Sequence, residues 1–313
     1  MTENKGITLL GVNLVYLFTA ILLLTLGVFF QQKDILKGLL ITEYILVLLP
    51  PIIYVVLIRD NFKNVFRFNF LSIKHGGLII AITVLSYPVA LFFNLIGMTF
   101  LSLFGEINAP PIPTADDLRQ YFTLFFIIAV SAGICEEVFF RGLILRGYES
   151  LGKVQGIIIS AVLFGVFHFN LQNFLGPVVL GLIFGYLVMR TNSIFAGILG
   201  HITNNGVAVT LGYLGNLASQ KLGEENLQPQ LEKGFDTFQL AAATFYIGGV
   251  AILTGLGALY MINIIRKDTK EADHLAVKTC EQGKRFSWVA FLPIVLSTII
   301  FIYLGYQQVK YNV

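Results

Sequence analysis

The chain has 313 residues, of which 56% are hydrophobic and 12% charged, with a net charge of +3 and a mean hydropathy of +0.78. A soluble globular domain is far less apolar than this, and the longest polar stretches, 59–75, 105–119, 218–237 and 265–286, are each too short to bury a core of their own. The small charge, spread over loops, excludes a nucleic-acid footprint, and Cys135 and Cys280 are too far apart for a CxxC redox pair, a zinc-type spacing or a disulfide framework.

A spanning helix needs about 20 mostly apolar residues. Such stretches follow one another at 9–30, 35–58, 76–104, 120–145, 154–170, 173–190, 194–217, 238–264 and 287–306. Lipid tolerates no unpaired backbone, so each is expected to be helical. The expected fold is an all-α polytopic transmembrane bundle of eight or nine spans forming one membrane domain over 1–313, with N-terminal spans in 1–104 and C-terminal spans in 238–313.

The first span has no small-residue cleavage site after it and reads as retained. The second contains Pro50-Pro51 and also Glu43, which belongs to no motif and is expected at the outer interface. The fifth and sixth lie so close together that they can form a re-entrant hairpin, hence eight or nine. Lys and Arg gather in 59–75, 146–153 and 265–286, which the positive-inside rule reads as a cytoplasmic N-terminus. Neither an internal repeat nor a low-complexity tract breaks the pattern.

Charged side chains at the bilayer centre cost about 2.5–3.5 kcal/mol on insertion scales, so they are rare without a partner or a task. The fourth span holds Glu136, Glu137 and Arg141, the fifth Phe164 and His168, and the seventh His201 and Asn205. Glu137 and Arg141, four apart, share a helix face with the acid first, the better order for an ion pair. Glu136 is rotated by about 100° from Glu137 and has no local partner. His201 and Asn205 share a face, and Phe164 sits one turn before His168. Should the three helices meet, Glu136, His168, His201 and Asn205 converge on one polar cavity.

In such a cavity a glutamate can act as general base on water, a histidine can assist or carry the proton to a leaving amine, and histidine with asparagine can donate to a developing oxyanion. That set fits amide hydrolysis. Neither Ser131 nor Cys135 sits in a nucleophile motif; Cys135 reads as a small packing residue. Glu136, His168 and His201 are also a two-His, one-carboxylate set like that of a catalytic zinc site, though without an HExxH spacing. Glutamate and histidine can equally build the proton relay of a transporter. Asn204 competes with Asn205 for the amide role.

The three motifs Glu136-Glu137-x-x-x-Arg141, Phe164-x-x-x-His168 and His201-x-x-x-Asn205, in that order on successive apolar helices, resemble those of the CPBP family, also called Abi or type II CAAX prenyl endopeptidases. The resemblance covers roughly residues 120–210. It implies an intramembrane endopeptidase core in which Glu136 and His168 activate water, His201 and Asn205 stabilise the oxyanion, and Glu137 and Arg141, with Phe164, brace the site. It favours a metal-free mechanism with no cofactor, zinc ranking second, and as partners membrane lipids and a peptide or protein tail, lipidated or not. Some family members are linked to bacteriocin self-protection, which keeps a non-proteolytic immunity or binding protein open. The phenylalanine-rich, tryptophan-poor composition points to a bacterial cell membrane, where pheromone, bacteriocin or membrane-protein processing fits better than a literal CAAX substrate.

Overall fold

All elements among the described residues, 6–105, 107, 113–222, 236–269 and 287–311 of a computed structural model, are helices. Cys280 and most of the basic stretch 265–286 lie outside them. In chain order the main helices are α1 (Leu9–Lys33), α2 (Ile35–Ile58), α3 (Ile73–Leu101), α4 (Leu118–Leu151), α5 (Lys153–Val166), α6 (Leu175–Thr191), α7 (Ile194–Lys221), α8 (Thr237–Asp268) and α9 (Trp288–Lys310). Seven are long and apolar enough to cross a membrane; α5 and α6, of 14 and 17 residues, are the short ones. They are the closely spaced fifth and sixth stretches of the sequence, and they pack against each other.

Sharp boundaries come from local chemistry. Asp34, a single residue between α1 and α2, caps α2 by accepting from the Lys37 backbone N–H at 3.1 Å, and Ser72 does the same for α3 at 3.2 Å from His75. Pro50 and Pro51 are tolerated because α2 loosens into a wide turn over Thr42–Val47 and restarts at Leu49, placing both prolines in a first turn where no N–H is needed. The outer surface is large and apolar, with Phe70, Phe245, Leu57 and Leu253 each at least 74% exposed. In water such a surface would drive association; in lipid it is the solvated side, so the chain is an integral membrane protein.

The interior is centred on α4. Phe139 and Phe140 are fully buried and hold α5 through edge and tilted contacts, Phe140 to Phe164 at 5.0 Å and Phe139 to Phe167 at 5.3 Å. Tyr16 of α1 closes the cluster by donating to the Leu163 carbonyl at 2.8 Å, which satisfies a hydroxyl that burial would otherwise leave costly. At the other end of α4, the Arg67 guanidinium donates to Glu149 and, at 2.8 Å, to Asn192 Oδ1. The Arg67 carbonyl accepts from Ile194 at 3.0 Å. That clasp fixes where α7 starts relative to α4.

Between α4 and α7 the backbones come close through glycine, as small residues permit in membrane bundles. A Cβ on Gly133 would stand 2.6 Å from Ile202 Cγ1 and 3.1 Å from Ile202 N, so only glycine lets the two helices approach at that level.

Candidate active site

Glu136 and Glu137 end a short regular stretch of α4, Ala132–Glu137, flanked by wide turns over Phe125–Ser131 and Val138–Ile144. Wide turns carry an extra residue, re-aim the side chains after them and loosen the carbonyl ladder. Glu137 still meets Arg141, whose Nη1 donates to Oε1 at 2.7 Å with both side chains at most 1% exposed. The same Oε1 lies 3.0 Å from His201 Nδ1 of α7. The Arg141 guanidinium also lies over the Phe164 ring at 4.5 Å. Glu137 therefore does more than brace α4: it joins α4 to the imidazole of α7.

This junction requires Gly197. A Cβ there would collide with Glu137 Oε2 and stand 3.0 Å from Val188 Cγ2. The carboxylate cannot yield, being fixed by Arg141 and His201. Gly197→Ala is expected to destabilise the protein by about 1–3 kcal/mol, as overpacking does, and to lower activity by displacing His201; thermal melting in detergent beside a rate measurement checks both.

Glu136 points the other way, as its helical position predicts. It lines a cavity of about 260 Å³ together with Phe164, His168, His201 and Asn205. Its Oε2 has no hydrogen-bond partner among the described residues and stands 3.8 Å from His201 Nε2. The His168 Nδ1 is 2.9 Å from the Phe164 carbonyl; a carbonyl oxygen only accepts, so Nδ1 carries the hydrogen and neutral Nε2 is left as an acceptor. The His168 ring packs edge-on to Phe164 at 5.0 Å, and the His201 ring lies against Phe184 at 6.0 Å. Asn205 donates from Nδ2 to the Ile128 carbonyl at 2.9 Å, a group in the first wide turn of α4.

Tyr87 and Asn94 of α3, Gly176 and Leu180 of α6 and Asn173 of the α5–α6 turn also line the cavity. Two expectations are corrected. His168 is not inside the fifth helix: α5 ends at Val166, and His168 sits in the turn beyond, where Phe169 takes a left-handed φ of 47°. Glu43 is not on the surface: it is 7% exposed, its Oε2 has no partner among the described residues, and its wide turn packs on Ala132–Glu137. One signal existed for Glu43 and Asn94, a polar residue in an apolar span; motif spacing carried none.

Residues 118–207 match a family model described as "Type II CAAX prenyl endopeptidase Rce1-like". The match covers less than a third of the chain. A relative from Bacillus subtilis (strain 168), named "Putative membrane peptidase YdiL", is 32% identical over 97 residues. That stretch covers 30% of this chain and 40% of the relative, so the match spans well under half the relative's length. No solved structure matches significantly. The matched segment runs from the start of α4 into α7, and every member of the three motifs falls within it.

Among the described residues no group of three or more His, Cys, Asp or Glu side chains is placed to hold a metal ion. His201 Nδ1 is bonded to Glu137 and His168 Nδ1 to a carbonyl, an arrangement that leaves Nε2 of each ring to other partners. Ser131 and the buried Cys135 are not among the cavity residues, and Ser131 Oγ donates to Phe126 O at 3.0 Å.

Proposed function

We propose that the chain is an intramembrane endopeptidase that hydrolyses a peptide bond with a glutamate-activated water. The observation that carries this reading is the single cavity lined at once by Glu136, His168, His201 and Asn205. A water bound between the Glu136 carboxylate and the free Nε2 of His168 loses a proton to the carboxylate as its oxygen attacks the scissile carbonyl. The oxyanion is met by the second amide hydrogen of Asn205 and by the His201 ring, whose orientation Glu137 fixes from the Nδ1 side. Glu136 then hands that proton to the leaving amine, and the tetrahedral carbon collapses to a carboxylic acid.

The volume is near the lower end for ligand pockets, about 300 Å³, so it holds the scissile stretch of a peptide or protein tail, lipidated or not. The charge pattern supports a cytoplasmic N-terminus, and the phenylalanine-rich, tryptophan-poor composition a bacterial membrane. Purified wild-type protein and Glu136→Ala are compared on a peptide library in detergent, with and without a chelator. Cleavage is expected from the wild type, lost in the variant and unchanged by the chelator. Loss on chelation would point instead to a zinc enzyme, and a biological phenotype kept by Glu136→Ala to a non-proteolytic immunity or binding protein.

A further inference from the structure

The amide next to the family motif is built into the same cavity. Asn204 Nδ2 donates to Asn205 Oδ1 at 3.0 Å, while Asn205 Nδ2 donates to Ile128 O at 2.9 Å. Asn205 is thus held at both ends of its amide, which leaves one N–H to point elsewhere. Asn204 and Asn205 both line the cavity, and Asn204 Oδ1 is shielded from solvent with no partner among the described residues. An unpaired buried acceptor is costly, and a ligand N–H that reaches it removes that cost. Tyr87 and Asn94 of α3 and Asn173 of the α5–α6 turn add uncharged polar groups, and no Lys or Arg is among the described residues around the cavity.

We propose that Asn204 is a substrate-binding and positioning residue: its Oδ1 accepts a backbone N–H of an extended, uncharged peptide segment beside the scissile bond, while its Nδ2 fixes the amide of Asn205. This rests on the endopeptidase reading. A peptide backbone offers a donor of the required kind whatever its side chains, so the contact sets the register of the chain in the cavity rather than its sequence. The Glu136 carboxylate, with no Lys or Arg among the described residues of the lining, favours internal peptide over a terminal carboxylate.

The test uses a quenched-fluorescent peptide chosen from a random library by its cleavage in detergent, and a series in which each backbone nitrogen near the cut is methylated in turn. For wild-type protein, methylation at one position is expected to lower kcat/KM about tenfold, the size of one lost hydrogen bond to a buried group. Asn204→Ala and the similarly sized Asn204→Leu are expected to cut the unmethylated peptide more slowly and to be indifferent, within about twofold, to methylation at that position. The ratio is internal to each variant, so a partly inactive preparation does not alter it. Equal sensitivity in wild type and variants would overturn the proposal while leaving the protease reading intact; absence of cleavage by the wild type would overturn both.

Discussion

Glu136→Gln is expected to lower kcat/KM by about 10²–10⁴-fold, the usual contribution of a positioned general base, while leaving thermal stability unchanged or higher. The two halves of this expectation come from the same geometry. Glu136 Oε2 makes no hydrogen bond among the described residues, and its nearest basic group, His201 Nε2, is 3.8 Å away. A carboxylate held inside a bilayer with so little compensation costs stability, and glutamine keeps its shape without its charge. Residues retained at such a cost serve the reaction rather than the fold. Melting temperature and kcat/KM measured on the same preparations separate the effects. A fall in both together, in proportion, would make Glu136 a structural residue and remove the base from the mechanism.

The motifs were legible in the sequence because they are local: an i, i+4 spacing survives in a helix whatever surrounds it, and each of the three brings its polar side chains to the cavity or its floor. The membrane bundle was legible because lipid imposes one secondary structure on any long apolar run. What stayed hidden depends on distances between helices. Glu43 and Glu136 are more than ninety positions apart in the chain, and only the packing of the wide turn over Thr42–Val47 on the regular stretch Ala132–Glu137 brings their segments together. The helical period, read as uniform, gave no sign of the wide turns over Phe125–Ser131 and Val138–Ile144, which aim Glu136 and free the Ile128 region for Asn205. The end of α5 at Val166 was equally hidden, because Phe167 and Phe169 are as apolar as the helix before them.

The role of Glu137 is decided by a double substitution. Glu137→Gln alone leaves the Arg141 guanidinium buried without its counter-charge, which is expected to cost about 3–5 kcal/mol and to show as a large drop in melting temperature. In the native pair, Glu137 Oε2 and Arg141 Nε and Nη2 have no hydrogen-bond partners among the described residues, so the pair is incompletely satisfied and a poor source of stability. Replacing both, as Glu137→Leu with Arg141→Met, is therefore expected to recover most of the lost stability, since apolar residues of similar size often replace a buried ion pair at little cost. Activity is expected to stay down by at least about 10²-fold, because His201 Nδ1 has then lost the acceptor that fixes the orientation of its ring. Measured together, refolded stability and persistent inactivity would assign Glu137 to the orientation of His201. Recovery of both would reduce it to a partner for Arg141, and the oxyanion would then rest on Asn205 without a tethered imidazole.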